Sequence, residues 1–218
     1  NEKKDFEKYP RNDEADIAFL ETIDIDIVYF PLANELYPKD GRELLEYSDE
    51  YLFGVFEGEF RPGHFLGVVT VVMRLFDHVK PTSAYFGLKD YQQYLVIKRA
   101  TPNYFKSTEV VGVPTVRNSG GLALSSRNKR LSTTQLKSAE VISATLNSFK
   151  HEKGTGDIDA LKTSGLARMA QNGLNTEYLE LCDASSLRRI ENWEDANEYV
   201  VVCAAFLGEV RLIDNLLF

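Results

Sequence analysis

Helical and extended hydrophobic patterns alternate along the first half of the chain. Apolar residues recur at helical spacing from Asp13 to Ile23, and a β-branched and aromatic run follows from Ile27 to Phe30. These patterns predict a helix and then a short buried strand. From Tyr37 to Gly58 no period is evident among the proline, glycine and carboxylate residues. We expect a long surface excursion there, with at most one weak strand.

The clearest helix runs from Phe65 to Val79, where apolar residues form one stripe. Pro81 ends it, because the residue before a proline is disfavoured in the helical region. Asp90 and Gln93 have the spacing of a capping box at the start of another helix. A strand, that helix and a second strand are predicted in turn: Ser83 to Gly87, Asp90 to Ala100 and Glu109 to Val116. The alternation is typical of a parallel sheet wound with helices, and because it begins with a helix we expect that sheet to be incomplete at its N-terminus.

The composition changes near Thr115, where we place a domain boundary between residues 1–115 and residues 116–218. The following stretch from Arg117 to Arg130 is polar and rich in glycine. Ser132 and Gln135 form a second capping-box pattern, which opens a long helix to about Lys150. One further helix and three strands are predicted after it: Asp157 to Gln171, Thr176 to Cys182, Tyr199 to Phe206 and Val210 to Phe218. Two helices with an antiparallel sheet predict a small α+β domain.

Composition and charge exclude several classes of protein. The chain of 218 residues is 44% hydrophobic and 27% charged, which excludes intrinsic disorder and collagen-like sequence. A formal net charge of -8 makes nucleic acid an unexpected partner. The longest apolar run, Tyr199 to Leu207, is too short for a membrane span and fits a buried strand. Cys182 and Cys203 lie in apolar, strand-like surroundings, so we expect buried free thiols in a reducing compartment and no zinc site.

Two clusters of polar residues lie at predicted helix starts. Arg61-Pro62-Gly63-His64-Phe65 combines a cation, a turn and an imidazole, which suits an anion or a buried polar pocket. The alternative is a turn in which the arginine is solvated and the histidine caps or packs. Gly87-Leu88-Lys89-Asp90-Tyr91-Gln92-Gln93 runs from a strand end into a helix, the usual place for a ligand in wound sheets. Lys89 suits a phosphate and Asp90 a ribose hydroxyl or hydrated Mg²⁺, although simple capping could also account for the polar pair.

A third cluster, Gly121-Leu122-Ala123-Leu124-Ser125-Ser126-Arg127-Asn128, is a glycine-flanked loop with hydroxyls and a guanidinium. Such a loop can wrap polyphosphate oxygens, and the alternative is an ordinary polar loop between domains. Together the clusters resemble the pantothenate synthetase family, also called pantoate–β-alanine ligases. The resemblance extends in order and spacing along the whole chain. Its other motifs are Asp5-Phe6-Glu7-Lys8-Tyr9-Pro10-Arg11, Val110-Val111-Gly112-Val113-Pro114-Thr115 and Arg211-Leu212-Ile213-Asp214-Asn215.

The resemblance implies an ATP-dependent ligase that works in two half-reactions. The pantoate carboxylate would attack the α-phosphorus of ATP, with Mg²⁺ assisting, to give pantoyl adenylate and pyrophosphate. The amine of β-alanine would then displace AMP and give pantothenate. Residues 1–115 would be the later part of a Rossmann-like nucleotide-binding domain, and residues 116–218 a small lid domain. A cytoplasmic homodimer is also implied, with neither nucleic acid nor membrane as a partner.

The resemblance also assigns site residues one by one. Lys89, Ser125 and Arg127 are the expected catalytic residues, with Lys89 on the phosphates. Residues 124–127 correspond to the loop of the lid that closes over the phosphates. The expected ATP-binding set is Gly87, Leu88, Lys89, Asp90, Val116, Leu124, Ser125, Ser126 and Arg127.

The remaining assignments concern pantoate, the metal ion and two nearby residues. Gln93 would hydrogen-bond pantoate, and Asp90 would hold Mg²⁺ through water. Arg61 and His64 would lie close to the site. The sequence has Leu88 where the family usually has Glu, and Leu124 where Met is common. Both are expected to contribute mainly backbone.

One departure from the family is larger. The His-x-Gly-His motif, whose histidines bind ATP phosphates, does not occur in the 218 residues. The resemblance begins just after a family glutamine that binds pantoate and β-alanine. We therefore expect the first βαβ portion to be missing and these residues alone to be inactive. Two alternatives stay open: a related nucleotidyl-transferring enzyme, or a non-catalytic fragment that keeps the fold.

Overall fold

The computed structural model describes residues 12–37 and 45–218. The helices in these ranges are α1 Asp13–Glu21, α2 Ala33–Leu36, α3 Glu50–Gly54, α4 Glu57–Phe60, α5 His64–Val79, α6 Tyr91–Tyr104, α7 Thr133–His151 and α8 Ile158–Gln171. The strands are β1 Ser83–Gly87, β2 Glu109–Val113, β3 Leu174–Asp183, β4 Tyr199–Leu207 and β5 Val210–Leu217. The Asp5–Arg11 motif lies outside the described residues.

A parallel pair of strands forms the first sheet. β1 and β2 pair from Ser83↔Glu109 to Gly87↔Val113, with α6 as the crossover between them. α5 and α6 pack against each other, and both contribute to one buried apolar cluster that includes Phe65, Val69 and Leu95. This helix–strand–helix–strand order matches the wound arrangement expected from the hydrophobic pattern.

A separate antiparallel sheet has the order β3–β4–β5. Successive residues of β4 face opposite sides, as the two-residue period of a strand requires. Val201 and Cys203 join the core formed with α7 and α8, whereas Val200 and Val202 join the core formed by α5 and α6. The sheet is therefore apolar on both faces, which explains the uninterrupted run in the sequence. The boundary near Thr115 stays a prediction.

The long helices were correctly predicted, and their caps explain where they begin. Ser132 and Gln135 form the expected capping box at α7, and Asp157 caps α8 through the amide of Ala160 at 2.8 Å. α6 extends beyond the predicted end and includes Pro102. Cys182 and Cys203 are buried free thiols, as expected.

Three local predictions are wrong. Ile27 to Phe30 is not a strand: the segment has no regular structure and Ile27 is 83% exposed, because no described strand pairs with it. Residues 38–44 of the predicted surface excursion lie outside the described residues. From residue 45 to Gly58 it is not simply a surface excursion, since α3 and α4 form there and bury Leu52. Asp90 occupies the N-cap position of α6 without a side-chain cap bond, so the capping box with Gln93 is absent.

Among the helices that the structure describes, none is both long and apolar enough to cross a membrane.

Candidate active site

An open cleft lies where the end of β1 and the start of α6 meet strand β5. It encloses about 550 Å³, part of which is continuous with solvent. Its wall combines aromatic and aliphatic side chains with a few charged and amide groups, the usual make-up of a small-molecule site. The polar residues that line it are Glu57, Arg61, Lys89, Asp90, Tyr91, Gln92, Gln93, Arg127, Tyr178, Asp214 and Asn215.

The turn after β1 carries Lys89 and Asp90 into the cleft. β1 ends at Gly87, and Leu88–Asp90 form a single 3₁₀ turn before α6 begins. This turn occupies the carboxyl end of a parallel strand, where wound sheets bind ligands. The side chains of Lys89 and Asp90 are 19% and 49% exposed, and Nζ lies 3.7 Å from Oδ1. The ammonium group is thus held at the cleft beside a solvent-accessible carboxylate.

The Leu88 side chain packs against Gly112 of β2 and so holds this turn on the sheet. A side chain at Gly112 of β2 would collide with Leu88, since an added Cβ would lie 2.6 Å from Leu88 Cδ2. Gly87 is exposed at the end of β1. Neither Gly87 nor Leu88 is among the described residues that line the cleft. Their predicted contact with ATP would have to come from the backbone.

The glycine-rich loop after β2 folds back on itself. Arg117 and Ala123 form an antiparallel bridge, and the amide of Leu124 donates to the carbonyl of Val116 at 2.9 Å. The side-chain amide of Asn128 donates to the carbonyl of Ala123 at 3.0 Å. The loop therefore brings together the backbones of Val116 and Leu124, two predicted ATP-binding residues whose side chains are exposed.

Lys89, Ser125 and Arg127 line one small pocket beside the cleft. The Ser125 hydroxyl accepts a hydrogen bond from the Arg127 amide at 3.3 Å and so caps the short 3₁₀ helix Ser126–Arg130. Ser126 itself is half-buried at the start of this helix. Two cations and a hydroxyl at one place can bind phosphate oxygens. The structure thus unites the three residues predicted to be catalytic.

Two adjacent glutamines have different surroundings. Gln92 is buried, and its amide nitrogen donates to the carbonyls of Leu52 and Val55 at 2.7 and 2.9 Å. Its amide oxygen accepts from the amide of Glu57 at 3.1 Å. Gln92 therefore fixes α3 and α4 against α6. Gln93 is half-buried and lines the cleft, where its amide can meet a ligand.

Arg61 lines the cleft, and His64 lies directly behind it. Nη1 of Arg61 is 3.1 Å from Nε2 of His64. Burial, followed by the charge of Arg61, lowers the pKa of His64 to about 4. The imidazole is therefore neutral at pH 7, and its nitrogen accepts a hydrogen bond from the guanidinium. His64 is not one of the described cleft residues. Its contact with Arg61 instead orients the guanidinium that lines the cleft.

A largely buried ion pair joins the cleft residue Glu57 to Arg211, which lines the smaller pocket beside the cleft. Arg211 donates two hydrogen bonds to the Glu57 carboxylate at 2.7 and 2.8 Å, and the Tyr178 hydroxyl donates a third at 2.8 Å. Burial raises the pKa of Glu57, but the hydrogen bonds and charge of Arg211 outweigh it, and the pKa lies below its ordinary value. Arg211 also bonds Glu177 through Nε at 2.5 Å. None of these roles was predicted from the sequence.

The residue before Glu57, Phe56, has a strained backbone conformation. Its φ of 48° and ψ of -120° are rarely adopted by a residue with a side chain. The Phe56 ring is buried and lies 5.1 Å from the ring of Tyr178. Strain of this kind persists only where surrounding contacts hold it, and here it places a carboxylate in the cleft wall.

Within the described ranges, no group of three or more histidine, cysteine, aspartate or glutamate side chains is arranged to hold a metal ion. Asp90, half-exposed beside Lys89, is the predicted metal-binding residue in the cleft.

Comparison with known proteins identifies the family. A family model for pantoate-beta-alanine ligase matches residues 1–217. The chain belongs to this family. Pantothenate synthetases of Bacteroides thetaiotaomicron and Fervidobacterium nodosum are 43% and 39% identical to it, over 99% and 98% of its length. The chain covers 76% of each of those two proteins.

Solved structures from the pantoate–β-alanine ligase family have the same fold. Pantothenate synthetase from Thermus thermophilus has a TM-score of 0.91 at 38% identity, over 99% of this chain and 78% of that one. A pantoate-beta-alanine ligase from Francisella tularensis, complexed with beta-gamma ATP and beta-alanine, has a TM-score of 0.76 at 30% identity and covers 99% and 74%. The expected fold class is confirmed: α/β, with a Rossmann-like wound parallel sheet and a separate antiparallel sheet.

Proposed function

We propose that the protein is an ATP-dependent ligase that joins pantoate to β-alanine. The observation that carries the proposal is the convergence of Lys89, Ser125 and Arg127 next to Gln93 and Asp90 in a chain of this family. The family member from Francisella tularensis is complexed with beta-gamma ATP and beta-alanine, which supports the same substrates here.

The first half-reaction activates a carboxylate. A pantoate carboxylate oxygen attacks the α-phosphorus of ATP, the bond to the β-phosphate oxygen breaks, and pyrophosphate leaves. Lys89 and Arg127 stabilise the charge that develops on the phosphate oxygens. Gln93 hydrogen-bonds pantoate and orients its carboxylate, and the hydroxyl of Ser125 contacts a phosphate.

The second half-reaction forms the amide. The amine of β-alanine attacks the carbonyl carbon of pantoyl adenylate, the C–O bond to AMP breaks, and the amine loses a proton. Because AMP is a far better leaving group than oxide, the activated carbonyl reacts where a free carboxylate would not. The cleft is open to solvent beside Gln93, and holding both reactants together there supplies much of the rate.

Mg²⁺ fits this site through water. The ion usually keeps several waters and takes one or two carboxylates together with substrate phosphates. Asp90 is half-exposed and adjacent to Lys89, so it would hold the ion beside the phosphates rather than in a protein cage. When bound, the ion would withdraw charge from the triphosphate.

An omission assay on the full-length protein tests the proposal. Pantothenate and AMP should form in equal amounts from pantoate, β-alanine, ATP and Mg²⁺, and omission of any one should abolish both products. The variant Lys89→Ala should lose this activity, while Lys106→Ala, which removes an exposed lysine, should keep it. Product from another acid or a nucleotide product would favour a different nucleotidyl-transferring activity, and no product at all a non-catalytic protein.

We also propose that these 218 residues alone do not complete the reaction. Their three histidines are His64, His78 and His151, and none stands in a His-x-Gly-His motif. His64 bonds Arg61, and Nδ1 of His78 lies 2.8 Å from the Tyr29 hydroxyl. Groups that together stabilise one transition state act as a unit, and removing one of them removes most of the rate enhancement. We therefore expect Lys89 and Arg127 without the histidines of that motif to be insufficient for turnover. Turnover by the 218-residue chain at the full-length rate would contradict this.

The assembly, location and domain motion of the protein remain predictions of the same proposal. We expect a cytoplasmic homodimer, which light scattering coupled to size exclusion would detect at twice the mass of one chain. We expect residues 116–218 to act as a lid over residues 1–115. Small-angle scattering should then show a more compact protein with ATP than without it.

A further inference from the structure

Strand β5 contacts both segments that carry the candidate phosphate-binding cations. The side-chain nitrogen of Asn215 donates to two successive carbonyls, of Leu88 at 2.9 Å and of Lys89 at 2.8 Å. Its neighbour Asp214 accepts two hydrogen bonds from Arg117 at 2.6 and 2.9 Å. Arg117 begins the loop that leads to Arg127. The side chains of two adjacent residues thus bind one segment each.

The contacts of Asn215 fix the backbone of the Lys89 turn. Asn215 is 6% exposed, so its bonds do not compete with bulk water. One amide group donates to both carbonyls, which belong to the two successive peptide units on either side of the Lys89 Cα. The orientation of these two peptides sets the direction in which the Lys89 side chain leaves the turn.

The contacts of Asp214 hold the glycine-rich loop that begins at Arg117. Asp214 is buried, and its pairing with the Arg117 guanidinium is bidentate, the geometry that fixes both groups most strongly. The same guanidinium donates to the carbonyls of Gly121 and Asn215 at 3.0 and 2.8 Å. These bonds pin the start and the bend of the loop to β5. The short 3₁₀ helix that carries Arg127 also contacts β5.

We propose that Asp214 and Asn215 are positioning residues that set the separation of Arg127 and Lys89, so that both cations meet one triphosphate. Neighbouring residues of a strand project to opposite sides, and their Cα atoms are about 3.8 Å apart. A two-residue unit of this kind is a short, stiff spacer between two otherwise separate segments. The proposal rests on the proposed function, in which Lys89 and Arg127 bind ATP.

A double-mutant cycle in the full-length protein tests it. Asn215→Ala, Lys89→Ala and the double variant are compared by kcat for pantoate-dependent pyrophosphate release. Asn215→Ala should lower kcat by roughly 10- to 100-fold, since small displacements of a reacting group have effects of this size. In the Lys89→Ala background it should lower kcat by no more than about 3-fold, because the group that it positions is already gone. The KM for pantoate should stay unchanged.

The matched control is Asn147→Ala. Asn147 also donates a side-chain hydrogen bond to a carbonyl, that of Ser143 at 2.8 Å, but both residues lie on α7. This variant should leave kcat within about 2-fold in either background. The second half of the proposal is tested by Arg117→Lys with Arg127→Ala, which should show the same non-additivity, since lysine keeps the charge and loses the bidentate fork.

The outcomes separate the two claims. If Asn215→Ala lowers kcat equally in both backgrounds while Lys89→Ala is impaired, the positioning role is overturned and the proposed function stands. If Lys89→Ala has normal kcat, Lys89 does not act on the phosphates. That result contradicts the proposed function at this residue and overturns the positioning role as well. If Asn215→Ala does not fold, Asn215→Asp, of the same size, replaces it in the cycle with the same expected result.

Discussion

The Arg211–Glu57 pair should contribute measurably to stability, and Glu57→Gln removes its charge while keeping the size of the side chain. Arg211 reaches Glu57 from β5, and Glu57 begins α4, so the pair joins the antiparallel sheet to the helices around α5. In the variant the Arg211 guanidinium keeps Glu177 as its remaining carboxylate, 2.5 Å from Nε. The Tyr178 hydroxyl can still donate to the new amide oxygen.

The loss in the free energy of unfolding depends on how far the ion pair is buried. Exposed ion pairs contribute about 0.2–1 kcal/mol, and breaking a buried pair costs about 3–5 kcal/mol. The Arg211 and Glu57 side chains are 18% and 11% exposed, which places the pair near the buried limit. Because Glu177 still compensates Arg211, we expect a loss of about 2–3 kcal/mol. For a chain of this length that lowers Tm by about 4–12 °C.

The effect should depend on pH in a defined direction. The pKa of Glu57 in the folded protein is lower than its ordinary value near 4.5, so its ionised form stabilises the fold above that value. This contribution is lost as the pH falls through the folded pKa. The difference in Tm between the natural protein and Glu57→Gln should therefore be constant near neutral pH and shrink below about pH 4.5.

Thermal unfolding by circular dichroism measures this difference. The control is Glu209→Gln, which removes the same charge from an exposed residue in the turn between β4 and β5. It should change Tm by less than about 2 °C. Equal melting temperatures for Glu57→Gln and Glu209→Gln at pH 7 would refute the reasoning. A difference that grows at acid pH would refute the assigned ionisation.

Three further predictions concern the cleft. In the full-length protein, Lys89→Ala should slow pyrophosphate release by roughly 10²-fold or more, because a lost charge-stabilising group costs about 2.7–4 kcal/mol in the transition state; a rate near normal would contradict it. Gln93→Ala should raise the KM for pantoate and leave Tm and the KM for ATP unchanged, since Gln93 makes no capping box; an equal rise in both KM values would contradict it. His64 should titrate by NMR with a midpoint near 4. Because the unfolded chain binds this proton near the usual ~6.5, the fold should lose stability between about pH 6.5 and 4 and no further below that range; a midpoint near ~6.5 in the folded protein would contradict it.

The fold was predictable wherever burial imposes a period. The stripe of α5 and the apolar run of β4 reflect faces that must leave water, and both elements form as predicted. The run from Ile27 to Phe30 has the same composition, yet β structure depends on a partner strand, which a local pattern cannot reveal. The capping box predicted at Asp90 is absent. A 3₁₀ turn precedes α6 there, and the Asp90 side chain makes no cap bond.

The candidate site was predictable only where its residues are contiguous. Lys89, Asp90 and Gln93 lie within one short motif, whose types and spacing allow either a ligand site or a helix cap, and the family resemblance favours the site. Glu57 and Arg211 are 154 positions apart, and each resembles a surface charge until the fold pairs them. The same holds for Asn215, whose bonds to the Lys89 turn span 126 positions.

The central claim is that the pantoate carboxylate attacks the α-phosphorus of ATP in this cleft, and isotope transfer tests it most directly. Pantoate labelled with ¹⁸O in its carboxylate is converted with β-alanine and MgATP by the full-length protein, and the products are weighed by mass spectrometry. The account predicts one ¹⁸O atom in each AMP and one in the pantothenate amide carbonyl, because the attacking oxygen leaves with AMP. Label in inorganic phosphate, or unlabelled AMP formed alongside pantothenate, would contradict it.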